Sequence, residues 1–310
     1  MAAAEAPARI SGVIGAPVTP LAEDGAVDLD TLERVCDFLI ARGVHGLALP
    51  MHTGESLNLS MAERNRLVET AVRAADGRVP VLAHVSLPGT GHVIELAQHA
   101  EKAGASGVIV VTPYHWRPPR AALVAHFTAV ARAVSVDVLA YNFPSRLGVG
   151  LDADLLAELI ESCSNFAGVK DASYDMQSFT EACARTSALR PGFAMLTGIE
   201  YLLTSMPVGG AGCFSPSAAI APGLVTSLYE ACRSGASDRA RPLQYQASAL
   251  WHLLRDTGYP ASVKAAMAIF GRPAGGVRLP LLDLDDDATE RLRRGLAGLG
   301  LLDSEPHGWG

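Results

Sequence analysis

GVIVVTPYHWRPPRAALVAHFTAVARAVSVDVLAYNFPSR, residues 107–146, holds one full structural repeat of the chain. An apolar run, Gly107–Val111, leads into a polar loop, Thr112–Pro118, and then into an amphipathic stretch. A second apolar run, Val136–Tyr141, ends in another polar loop, Asn142–Arg146. Runs of Val, Ile, Leu and Ala without polar alternation are what parallel strands need when both faces are covered. The same rhythm recurs in both directions. Strands are expected at Val13–Pro17, Gly46–Pro50, Val79–Ala83, Phe166–Lys170, Phe193–Leu196 and Gly210–Phe214. Helical stretches lie between them. LDTLERVCDFLIA, ending at Ala41, puts Leu32, Val35, Cys36, Leu39 and Ile40 on one face. Ser60 and Glu63 have capping-box spacing, and Gly104 and Gly107 mark a helix stop and a strand start. Eight such units in about 220 residues predict an α/β fold, a (β/α)8 TIM barrel. No GxGxxG follows the first strand, as a dinucleotide-binding doubly wound sheet would require. From about Pro222 to Leu302 the pattern is helical throughout, punctuated by Pro242, Pro260 and Pro273. The expected organisation is therefore a barrel over 1–221 with a helical extension over 222–310, and the tail SEPHGWG is expected to fray.

Composition narrows the function. The 310 residues are 49% hydrophobic and 18% charged, with a formal net charge of −7 and no basic run. Nucleic-acid partners are therefore not expected, since phosphate recognition needs a basic patch. No apolar stretch reaches the roughly 18–20 residues of a membrane span. MAAAEAPARI lacks the basic and apolar regions of a leader. Five scattered cysteines without a CxxC pair suit reduced thiols, so a soluble cytoplasmic protein is expected.

In such a barrel the active site gathers residues from the C-terminal ends of the strands. Only three of the 25 Lys and Arg residues are lysines, namely Lys102, Lys170 and Lys264. Lysine can lose its proton and act as a nucleophile where arginine effectively cannot. Lys170 ends the apolar run Phe166-Ala167-Gly168-Val169, where burial would lower its pKa and arm it against a ketone. A lysine that ends a strand by reaching for solvent would read the same, and position alone leaves both open. Tyr141 ends the neighbouring strand and offers a phenol for proton transfer, or a core tyrosine with a satisfied hydroxyl. Thr53 and Gly54 form a short loop suited to a carboxylate or to a simple turn before a helix. Arg146 offers a two-pronged grip on a second carboxylate, or an ordinary exposed arginine. His52, His84 and His115 follow three different strands, but no HxH or HExxH spacing accompanies them, and no metal site is expected.

Four segments in order, HTGES (52–56), VTPYHWRP (111–118), YNFPSRLG (141–148) and GVKDAS (168–173), give the chain a family likeness. From about Ile14 to Pro280 it resembles the dihydrodipicolinate synthase/N-acetylneuraminate lyase family of class I pyruvate-handling lyases. The resemblance implies a barrel with a C-terminal helical extension, assembled as a homotetramer, with no cofactor. It assigns Lys170 to the Schiff base, Tyr141 to proton transfer, and Thr53 with Gly54 to the pyruvate carboxylate. Phe214 falls where the family offers a backbone contact to the bound keto acid, and Arg146 matches the arginine that synthase-type members use on a second carboxylate. Two positions depart. His52-Thr53 stands where synthases carry two threonines, and Tyr114-His115 stands where they carry two tyrosines. Both replaced positions, His52 and His115, belong to the synthase proton relay, and imidazoles alter its charge and titration range. Gly198-Ile199-Glu200-Tyr201 keeps one acidic group where lyases of sialic acid present two.

The leading expectation is thus a Schiff-base lyase or aldolase that makes or cleaves a 2-oxo acid, synthase-like but outside the lysine pathway. The same imine would also serve a dehydratase or deaminase of 2-keto-3-deoxy sugar acids, a true dihydrodipicolinate synthase, or a barrel that only binds a keto acid.

Overall fold

The computed structural model describes residues 10–309. The N-terminal stretch read for a leader lies, apart from Ile10, outside the described residues. Eight strands run Gly12–Gly15 (β1), Gly46–Leu49 (β2), Val81–His84 (β3), Gly107–Val111 (β4), Asp137–Asn142 (β5), Phe166–Asp171 (β6), Ala194–Thr197 (β7) and Gly212–Ser215 (β8). They close into a barrel in chain order, as the sequence pattern predicts. All registered strand pairs are parallel. At the closure Gly12 N–H donates to Ala211 O (2.9 Å) and Ala16 N–H to Ser215 O (3.0 Å). The third strand starts two residues later than expected. Pro80 has no N–H to give a ladder, though its carbonyl accepts from Leu47 N–H at 2.9 Å.

The helices are Leu29–Ala41 (α1), Met61–Ala75 (α2), Thr90–Lys102 (α3), Arg120–Ala133 (α4), Pro144–Leu147 (α5), Ala153–Ser162 (α6), Met176–Leu189 (α7) and Leu202–Ser205 (α8). After the barrel come Pro222–Arg233 (α9), Ser237–Gly258 (α10), Ala261–Ile269 (α11), Asp286–Gly298 (α12) and Leu301–Ser304 (α13). Among the described residues no strand interrupts this C-terminal helical region. Local chemistry sets the starts. Asp28 caps α1 by accepting from Thr31 N–H, and Ser60 with Glu63 forms the expected capping box on α2.

By compactness the chain divides into two units. One spans Leu82–Phe214 with Gly12, and holds β4–β7 and α3–α8. The other spans Val13–Val81 and the chain from Ser215 onward, and holds β2, α1, α2 and α9–α13.

The tail departs from expectation. Arg272, 0% exposed, donates to Pro306 O and Gly308 O, and Gly308 N–H donates to Phe270 O (2.7 Å). Glu305 accepts from Gly223 N–H (3.0 Å) and Leu224 N–H (2.7 Å) at the start of α9. Trp309 stacks edge-on against Phe38. A segment that looks polar and glycine-rich is held by its backbone carbonyls on Arg272, by the Glu305 carboxylate on α9 and by the Trp309 ring on Phe38.

Among the described residues no helix is long and apolar enough to cross a membrane, and no group of three or more His, Cys, Asp or Glu side chains is placed to hold a metal ion.

Candidate active site

Strand β6 delivers Lys170. Its approach to β7 depends on Gly168, where an added Cβ would lie 2.6 Å from Ala194 O. On the other side Lys170 is in register with Tyr141, and Asp171 with Asn142. The second pair is tied by side chains. Asn142 Nδ2 donates to Asp171 Oδ2 (2.7 Å), and Asn142 Oδ1 accepts from Leu151 N–H (3.0 Å). Ser173 Oγ donates to Asp171 Oδ1 at 2.7 Å. Burial raises the pKa of Asp171 while these bonds oppose the rise. The clip fixes the ends of β5 and β6 together, and with them the spacing of Tyr141 and Lys170.

Lys170 is 6% exposed. Its Nζ lies 4.1 Å from the centroid of the Tyr141 ring and 4.9 Å from that of Phe214. Two effects compete. Aromatic faces favour the ammonium by about 2 kcal/mol when desolvated, but loss of water costs a buried cation several kcal/mol. Desolvation wins: burial brings the Lys170 pKa down to about 7 from 10.5, and among the described residues no carboxylate is paired with it. Near neutrality this amine exists substantially as the free base, which is the nucleophilic form.

Tyr141 is 3% exposed, stacks on Phe143 (5.7 Å between centroids, 10° between planes), and meets the edge of the His84 ring at 6.2 Å. Phe214 is fully buried, and its ring, besides any backbone contact, walls the amine. Lys170, Tyr141 and Phe214 are therefore brought together. His115 is exposed on the loop that follows β4, and Arg146 is exposed in α5, the short helix that follows β5. His115 has a left-handed backbone (φ 74°) and sits edge-on to Trp116 (4.9 Å). The side chain of Arg117 lies along Gly148, two residues past Arg146.

The second unit carries the loop after β2. His52 is half-buried, while Thr53 and Gly54 are buried. Thr19 Oγ1 donates to Gly54 O at 2.7 Å, and a Cβ on Gly54 would lie 3.0 Å from that hydroxyl and 3.2 Å from Pro17 O. Thr53 Oγ1 lies 2.6 Å from the Tyr259 hydroxyl. Glu55, in a left-handed conformation (φ 55°), pairs with Lys264 (2.8 Å) and accepts from Arg278 N–H (2.8 Å). Both charged side chains of the pair are nearly inaccessible, at 3% and 2% exposure. Sequence reasoning put Glu55 in the loop after β2 without its partner, and did not single out Tyr259. The rarity of lysine was the one signal that touched Lys264.

The sequence model of the dihydrodipicolinate synthetase family matches residues 9–298. The 4-hydroxy-tetrahydrodipicolinate synthase of Methanopyrus kandleri is 38% identical over 296 residues, 95% of this chain and 98% of that protein. An uncharacterized DapA-like lyase of Halobacterium salinarum is 39% identical over 298 residues, 96% of each. Among solved structures, YagE, a prophage protein of the dihydrodipicolinic acid synthase family from E. coli K12 in complex with pyruvate, superposes with a TM-score of 0.91. It is 31% identical, and the match covers 95% of this chain and 100% of YagE. A likeness that spans nearly the whole chain at these identities settles the family: this (β/α)8 barrel is a lyase that belongs to the dihydrodipicolinate synthetase family.

Proposed function

We propose that this lyase forms an imine between Lys170 and pyruvate or another 2-oxo acid, and makes or breaks the C3–C4 bond, one carbon beyond the imine carbon C2. The observation that carries the reading is the buried amine of Lys170, with a pKa of about 7 and no carboxylate paired with it among the described residues, lying against the Tyr141 ring. Its neutral form attacks the ketone and water leaves. The protonated imine then withdraws electrons and stabilises the enamine formed when the C3–C4 bond breaks. Tyr141 passes the protons that carbinolamine formation and breakdown require. Thr53 and Gly54 hold the substrate carboxylate, Phe214 contacts the bound keto acid, and Arg146 selects an acidic tail. His52 and His115 stand in for the hydroxyls of the synthase relay. An imidazole offers ring nitrogens as donor and acceptor where threonine and tyrosine offer a hydroxyl, which supports a substrate other than that of the lysine pathway. A homotetramer in the cytoplasm is the proposed working form.

The test is to incubate the protein with pyruvate, reduce with borohydride and read the intact mass, with Lys170→Ala alongside. A pyruvate-sized adduct that is absent from the variant supports the imine; an adduct that persists in the variant refutes it. Pyruvate and an aldehyde among the products separate carbon–carbon cleavage from dehydration or deamination. Formation of 4-hydroxy-tetrahydrodipicolinate at an efficient rate overturns the non-lysine-pathway reading.

A further inference from the structure

The loop that presents Thr53 is gripped from the C-terminal helical region through both Thr53 and Glu55. Tyr259, at the junction of α10 and α11, places its hydroxyl 2.6 Å from Thr53 Oγ1, and Lys264, in α11, holds Glu55 two residues further on. Tyr259 is itself braced, its ring lying edge-on to Trp251 at 5.3 Å. Either hydroxyl could be the donor of this bond. A carboxylate removes that freedom, because it only accepts. Thr53 has one proton. If that proton goes to a substrate carboxylate, the oxygen of Thr53 must accept from Tyr259, and the two hydroxyls then point the same way. Aligned hydroxyl chains polarise one another and strengthen the terminal bond.

From this geometry we propose that Tyr259 is a positioning residue for 2-oxo acid binding: its hydroxyl fixes Thr53 as the donor to the substrate carboxylate. The proposal rests on the reading above that Thr53 belongs to the carboxylate clamp. It gives the C-terminal region a direct part in substrate affinity, through a residue on a different element from every group the sequence singled out.

The experiment measures the pyruvate concentration that gives half-maximal borohydride-trapped adduct, by intact mass, for the parent protein and for Tyr259→Phe. Phe keeps the ring against Trp251 and removes only the hydroxyl. Loss of one hydrogen bond to a neutral partner corresponds to about a tenfold rise in half-saturation, with the adduct at saturating pyruvate retained. In a Thr53→Val background, Tyr259→Phe adds no further rise, because the hydroxyl it orients is gone. An unchanged half-saturation in Tyr259→Phe, or a full further rise in the Thr53→Val background, overturns the proposal. A lower melting temperature with unchanged half-saturation identifies a purely structural tyrosine and overturns it as well. Failure of the parent protein to trap any adduct defeats the imine reading and this proposal together. Trapping by the parent with no shift in Tyr259→Phe defeats the positioning role alone.

Discussion

If desolvation sets the state of Lys170, the pH dependence of imine formation must follow a pKa of about 7, not 10.5. That fall raises the neutral fraction of the amine at pH 7 from about 3 in 10,000 to about one half. The perturbation is a pH series, and the assay is the initial rate of pyruvate adduct formation in cyanoborohydride, read by intact mass. The rate climbs with an acid limb centred at about pH 7 and then levels. The same burial has a stability consequence of fixed sign. Because the folded-state pKa is depressed, the unfolded chain binds a proton that the folded chain does not, between about pH 7 and 10.5. Stability therefore rises with pH across that window and is flat below it. At about 1.4 kcal/mol per pKa unit, the cost of holding the ammonium below pH 7 has a ceiling of about 5 kcal/mol. Lys170→Met, close in shape and uncharged, is expected to be more stable than the parent at about pH 6, by up to that ceiling, and to lose its advantage as pH approaches 10.5. Chemical denaturation at the two ends of the window measures this. An acid limb near pH 10 for trapping, or a Met variant with the same advantage at both ends, refutes the assignment of burial as the cause.

Lys264→Met leaves Glu55 as a buried, uncompensated carboxylate and is expected to cost about 3–5 kcal/mol in denaturation. Adding Glu55→Gln restores most of that loss, and a single variant as stable as the parent counts against a buried pair. Arg272→Lys cannot span the carbonyls of Ala219, Ile220, Pro306 and Gly308 together. It is expected to cost at least about 2 kcal/mol and to make residues 305–309 accessible to carboxypeptidase, where the parent resists.

Most of the fold was legible because burial on both faces leaves a direct trace. The run Gly107–Val111 is β4 to the residue, and all five of its positions are buried. The placement of residues at strand ends was legible in the same way: Lys170 and Tyr141 end adjacent runs, and the structure puts them in register. What stayed hidden depends on contacts far apart in sequence. Thr53 meets Tyr259 across 206 positions, and Glu55 meets Lys264 across 209. Neither pair has a spacing that periodicity reports. The order of the tail is not visible in SEPHGWG because the partners of its carbonyls, of Glu305 and of Trp309 lie far off in sequence, on Arg272, α9 and Phe38.

Two of the three lysines in this chain are buried, and the contrast between them explains why rarity alone could not tell the proposed nucleophile from a strut. Lys264 and Lys170 are 4% and 6% exposed, so desolvation acts on both. At Lys264 the loss of water is answered by the Glu55 carboxylate, which bonds the ammonium and raises its pKa against the fall. An amine so paired keeps its proton and holds a loop. At Lys170 burial acts with no carboxylate against it, and the aromatic faces of Tyr141 and Phe214 supply too little to restore the charge. The proton is therefore loosely held at neutral pH. Moving a carboxylate next to Lys170, as Leu196→Asp on the registered position of β7 does, is expected to turn it into a second Lys264: an ion pair in place of a free amine. The discriminating feature is thus the missing counter-ion, not the lysine, and it is visible only once the strands are laid side by side.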